Sequence, residues 1–261
     1  MSAGQGYTLV YDIEVAGYPW EEVDEITRGY LLAREKDADR RAAVPDRTGL
    51  YPGLGRVVAI GIWLVEANRG LLLLEGDEDD RDQAHEDDAA RRAEPGFGEH
   101  DWAKVPDSKI FRGDERALLS KFWDIVTSAN KARRAPRLVT YNGRSYDGPM
   151  LMIRSAQLGV PARRDLVGYR YDISEHCDLM DALDFHGSRW PSYSLDYWCR
   201  RFDVESPKGS IDGSQVARAY RDGRIEDIGE YCLRDVRATA ALYRKLEPTI
   251  LPLFKGGPRR G

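Results

Sequence analysis

The stretch Leu9 to Val15, LVYDIEV, constrains this chain more than any other, because it sets two carboxylates two residues apart in an apolar run. In a β-strand alternate side chains share a face, so Asp12 and Glu14 leave the backbone together while Tyr11, Ile13 and Val15 point the other way. At about 5 Å and an effective dielectric constant of about 20, two such charges repel by about 3 kcal/mol before desolvation is counted. A strand gains no stability from that arrangement. One acid is protonated, or the pair lies at an exposed rim, or a cation sits between them. The triplet alone leaves these possibilities open, and the remaining residues must choose among them.

The apolar content of 42% over 261 residues is ample for a sizeable core, and no run approaches the roughly 20 apolar residues that a membrane span needs. The start, MSAGQGYTL, lacks the charged and apolar regions of a secretory signal, so a cytoplasmic location is expected. Cys177, Cys199 and Cys232 are widely spaced and odd in number, which suggests neither a disulfide framework nor a zinc site. The net charge of −5 is unevenly spread: Glu75 to Glu94 holds ten acids against three arginines, a local −7 that leaves the remainder about +2. The acidic balance therefore does not exclude a nucleic acid as substrate.

After the first strand, Trp20 to Lys36 has the spacing of an amphipathic helix, and a loop rich in Pro and Gly follows. RVVAIGIWLVE and LLLLE flank the turn candidate Ala67 to Gly70, a hairpin signal. The acidic run 76–109 reads as an insertion, as does 16–55. Helices are expected from the N-cap Asp114 onward, from Pro149 to Leu158, over SLDYWCRRF and DGSQVARAY, and from Ile225 to Leu246. RLVTY at Arg137 to Tyr141 reads as a strand, and HCDLMDALDF at His176 to Phe185 is ambiguous between strand and helix. Hairpin-linked strands followed by alternating helix and strand predict a mixed α/β sheet with helices on its faces, in one domain over 1–254 with a basic tail at 255–261.

Two further acids have positions of interest. LVTYNGRSYDGPML carries Asp147 on the connection from a strand into a helix, where α/β sheets gather ligands, although Asp147 could equally cap that helix. In the last helix Ile228, Tyr231, Asp235, Ala238 and Leu242 form one stripe, so Asp235 interrupts a mostly apolar face one turn after Tyr231. An acid there is costly unless paired or bound to a metal.

Taken together, YDIE at Tyr11 to Glu14, YNGRSYD at Tyr141 to Asp147 and YCLRD at Tyr231 to Asp235 resemble the three motifs of the DEDD 3′-5′ exonucleases. They look most like those of the proofreading domain of family-B DNA polymerases, with patterns F-D-I-E, Y-N-x-x-x-F-D and Y-x-x-x-D. The tract Tyr193-Ser194-Leu195-Asp196 is similar to a run between the second and third motifs of that family, and the resemblance covers about two thirds of the chain. Tyr231, four residues before Asp235, fits the tyrosine branch; the position used by histidine in the other branch is Glu230. Tyr11 and Tyr146 depart from the usual phenylalanine, and segments 16–55 and 76–109 have no obvious counterpart.

The resemblance implies a ribonuclease H-like, five-stranded mixed sheet. It also implies a stand-alone 3′-5′ exonuclease that releases nucleoside 5′-monophosphates. Asp12, Glu14, Asp147 and Asp235 would hold two divalent cations, Mg2+ or Mn2+, since carboxylates without His or Cys select hard ions. Tyr231 would orient the attacking water, and Asn142 and Tyr146 would contact the terminal nucleotide by hydrogen bond and stacking. The partner would be a nucleic acid with a free 3′ end, single-stranded DNA ahead of RNA. Alternatives are an RNA exonuclease of the same fold, a catalytically silent binding module, and a metal-free α/β protein in which three motifs coincide.

Overall fold

Strand β1 (Thr8–Gly17) is paired on both sides, which explains why its sequence stays apolar on either side of the two acids. A computed structural model of the chain describes residues 7–77, 108–128, 135–188, 192–208 and 211–254. In it β1 pairs antiparallel with β2 (Gly55–Leu64), which continues through the Asn68 turn into β3 (Arg69–Glu75). On its other side β1 pairs in parallel with β5 (Arg137–Thr140), followed by β6 (His176–Asp178). With β4 (Lys109–Gly113) beside β3, the order is β4-β3-β2-β1-β5-β6.

The two faces of the sheet are covered by different helices. Tyr11, Ile13, Val15, Ile60 and Leu73 pack against Leu118, Phe122 and Trp123 of α3 (Glu115–Thr127) and Met150 and Leu151 of α4 (Asp147–Gln157). On the opposite face Val10, Ala16, Val58, Leu72 and Val139 meet Ile228, Cys232, Leu233 and Val236 of the long helix α8 (Ile225–Leu246). The single-residue alternation of β1 thus turns Asp12 and Glu14 toward α8. Among the described residues no helix is long and apolar enough to cross a membrane.

Among the described residues the sheet has six strands where five were expected. The additional one, β4, is only five residues long, KIFRG, and abuts the acidic run, so it carries no alternation long enough to read. It lies parallel to β3, and parallel neighbours require a crossover of about a dozen residues or more. The connection that the sequence presents as an insertion is therefore needed by the topology. Residues 78–107 of it, and the basic tail 255–261, lie outside the described residues.

The helix expected over Trp20 to Lys36 is divided. A 3-10 turn spans Trp20–Glu22, and α1 (Glu25–Arg34) begins after Asp24, whose carboxylate accepts the Thr27 amide at 2.9 Å and caps it. Of its apolar stripe only Leu31 is buried; Ile26 and Tyr30 face solvent. The ambiguous run from His176 resolves into both alternatives, β6 and then the short helix α5 (Leu179–Leu183).

Candidate active site

Space for the acids is made by small residues. In the antiparallel register Asp12 lies opposite Gly61 and Glu14 opposite Ala59, so the neighbouring strand fills little of the face they share. A Cβ at Gly61 would come within 3.0 Å of both the carbonyl oxygen and the Sγ of Cys232, and 3.1 Å of Val236 Cγ1. Glycine is therefore what lets α8 approach the sheet closely enough for its side chains to reach Asp12 and Glu14.

On the other side of β1 the pairing with β5 ends at Val10 and Val139, leaving the Ile13 amide without a strand partner there. Asp147, in the first turn of α4, supplies the acceptor: its Oδ1 takes the Ile13 N–H at 3.0 Å. Asp147 thus reaches across to β1 instead of capping its own helix, whose N-cap Tyr146 makes no side-chain capping bond.

The loop between β5 and α4 is held by a residue the sequence did not single out. Asp178, at the end of β6 and 2% exposed, accepts the amides of Asn142 at 2.9 Å and Arg144 at 3.0 Å, and it also caps α5 through Met180 N. Asn142 has φ +66°, a left-handed conformation that asparagine tolerates better than most residues. The side chain of Tyr146 is partly buried, and its hydroxyl donates to the Gly49 carbonyl at 2.9 Å, joining the loop to the 3-10 segment Pro45–Leu50. Tyr141 donates its hydroxyl to the Tyr193 carbonyl, and Ser194 caps α6 (Leu195–Arg201), so the YSLD tract supports the same loop.

From α8, Tyr231 and Asp235 complete the group. Burial is the largest influence on every acid in it. Asp12 is raised well above the usual carboxylate range by burial, then by the charges of Asp147, Asp235 and Glu14, and it shares a hydrogen bond with Asp147. Glu14, 6% exposed, is raised by burial and then by Asp235 and Asp147. Burial pushes Asp147 to about 7 against the opposing pull of the Ile13 amide, and pushes Asp235 to about 7 against the hydrogen-bonding Tyr231 hydroxyl. Among the described residues, Oδ1 of Asp235 is buried without a hydrogen-bond partner. Tyr231 itself is raised far above its ordinary value by burial and the surrounding carboxylates, so its hydroxyl keeps its proton and serves as a hydrogen-bond donor.

The structure thus brings together Asp12, Glu14, Asp147, Asp235 and Tyr231, with Asn142 and Tyr146 on the adjoining loop. It adds Cys232, whose Sγ lies with carboxylate oxygens of Asp12 and Glu14 within 4.8 Å of one another. A signal for Cys232 existed in the sequence, since it stands three residues before Asp235 and shares its side of a helix. Four mutually repelling acids, Glu14 and Asp147 buried and Asp12 and Asp235 half-buried, one with an orphaned oxygen, form a donor set suited to hard divalent cations.

Residues 99–250, more than half of the chain, match the family described as predicted 3′-5′ exonucleases related to the exonuclease domain of PolB. The match includes Asn142, Tyr146, Asp147, Tyr231 and Asp235 but begins after Asp12 and Glu14. Among curated proteins, a provisional DNA polymerase of Frog virus 3 (isolate Goorha) is 26% identical over 160 residues, 51% of this chain and 15% of that protein. A DNA polymerase of Pyrococcus glycovorans is 24% identical over 148 residues, 51% of this chain and 18% of that one. The chain therefore spans under a fifth of the length of these relatives. The family B DNA polymerase of Pyrobaculum calidifontis matches in fold, with a TM-score of 0.54 and 21% identity over 94% of this chain and 25% of that one. With its sheet, helices and matched segment in agreement, this chain belongs to the family of predicted 3′-5′ exonucleases related to the PolB exonuclease domain.

Proposed function

We propose that the chain hydrolyses phosphodiester bonds from the 3′ end of a nucleic acid, single-stranded DNA in preference to RNA, releasing nucleoside 5′-monophosphates. The observation that carries this reading is the convergence of Asp12, Glu14, Asp147 and Asp235 from three elements on one small volume beside Tyr231. Those four carboxylates would hold the divalent cations, Mg2+ or Mn2+. Bound there, such ions supply an activated water and stabilise charge on the leaving 3′ oxygen.

The protein's own groups do the rest. Tyr231 keeps its proton and orients the attacking water by hydrogen bonding; it is too weak an acid to serve as a base near neutral pH. Asn142 and Tyr146 sit on the loop that carries Asp147 and contact the terminal nucleotide, Tyr146 through its ring because its hydroxyl is engaged by Gly49.

The test is mononucleotide release from 5′-labelled single-stranded DNA and RNA with Mg2+, Mn2+ or EDTA, comparing wild type with Asp12→Ala. A metal-dependent ladder shortening from the 3′ end, lost in the variant by at least about the 10–100-fold typical of disturbed metal sites, is expected. Relative rates on the two polymers give the sugar preference. Binding of either polymer without turnover under any ion would overturn the reading in favour of a silent binding module.

A further inference from the structure

The acids of the candidate centre are all hard oxygen donors, and Cys232 is the exception among the side chains that face them. Its Sγ lies against the Asp12 carbonyl oxygen at 3.7 Å and belongs to the group, with carboxylate oxygens of Asp12 and Glu14, whose ligand atoms are all within 4.8 Å of one another. Helix α8 is pressed onto β2 at this point by the lack of a side chain at Gly61, so the thiol is fully buried under the acids. Glu14 is more than nine-tenths buried beside it, and Oδ1 of Asp235, whose charge acts on both Asp12 and Glu14, is buried with no hydrogen-bond partner among the described residues. A carboxylate in that state is a ligand waiting for a cation.

We propose that Asp12, Glu14 and Cys232 form a mixed oxygen and sulfur site that captures thiophilic divalent cations such as Zn2+ or Cd2+, in competition with the hard ions of the exonuclease reading, on which this inference rests. Sulfur selects soft ions that a carboxylate cage alone would not favour. Ideal tetrahedral Zn–S and Zn–O bonds place their ligand atoms about 3.6 Å apart, so the three side chains must close by about 1 Å, a movement within the reach of the Glu14 side chain. On coordination the S–H bond is replaced by an S–metal bond and the proton passes to solvent, with no change of oxidation state. Occupancy by a soft ion removes Asp12 and Glu14 from the hard-ion centre, so the site is inhibitory.

The experiment is a Cd2+ titration of the full chain followed by near-ultraviolet sulfur-to-metal charge-transfer absorption, with Mn2+ binding measured in parallel by loss of the free-ion paramagnetic signal. The inference requires a saturable Cd2+ band that is lost in Cys232→Ser and in Cys232→Ala and that added Mn2+ displaces. The second variant keeps the test usable if one substitution unfolds the protein, as thermal melting will show. A band that survives both variants assigns it to the other buried thiols and overturns the proposal. Mn2+ binding with no Cd2+ band also overturns it while leaving the hard-metal reading intact. Failure of both ions to bind overturns the metal centre itself.

Discussion

Asp147 and Asp235 are held at about 7 in the folded chain, whereas an aspartate in an unfolded chain titrates near 4. Between those values the native state binds more protons than the unfolded one, so the contribution of the cluster to stability falls as pH rises and is lost above about 7. Without divalent ions the melting temperature should decline from pH 5 to pH 8 more steeply in wild type than in Asp12→Asn, which relieves part of the repulsion. Mn2+ should recover stability most at pH 8, where its ligands are ionised. Equal slopes for the two proteins would mean that these acids are not the source. A second residue-level expectation concerns Asp178: Asp178→Ala leaves the Asn142 and Arg144 amides without their acceptor and should cost about 1–3 kcal/mol in chemical denaturation, with a larger loss of nucleotide affinity than of stability. Asp12 and Glu14 were legible as a same-face pair because strand alternation alone fixes their direction. Asp178 was not, because its importance lies in amides contributed by a loop more than thirty residues earlier in sequence.

The long helix was read from the sequence with its observed bounds, Ile225 to Leu246, since its stripe is regular and Pro248 follows. The short elements fared differently. β4 is five residues long, and the stretch from Trp20 changes direction at Asp24 because a local cap outcompetes the apolar spacing. How α8 meets the sheet could not be read at all, for it depends on a glycine in a different element. Gly61→Ala places a methyl group against the Cys232 backbone, which cannot yield as a flexible side chain could. Displacement of α8 should cost about 1–3 kcal/mol. Because Tyr231 and Asp235 ride on this helix, Mn2+ affinity should fall with it, and calorimetric titration of the refolded variant checks that. A variant with unchanged Mn2+ affinity would show that the approach of α8 does not set the geometry of the acids.

At the scale of the whole molecule, the acidic segment and the sheet topology place opposite demands on one stretch of chain. The local charge of −7 between Glu75 and Glu94 suits a screen against phosphate, while the parallel pairing of β3 and β4 needs a long crossover. Deleting 78–94 while keeping 95–107 should preserve the fold and lower the KM for single-stranded DNA at low salt, with the difference fading as salt rises. An unchanged KM at low salt removes the screening role. Removing 78–107 entirely should instead abolish the β4 pairing, which hydrogen exchange at Leu71 to Glu75 would register.

The lengths of the outermost strands bear on how the protein associates. β6 is three residues long and β4 is five, and β4 opens on Lys109 and carries Arg112. Short margins are poor templates for recruiting another strand, whereas the long apolar strands are all interior. Self-assembly through extension of the described sheet is thereby disfavoured.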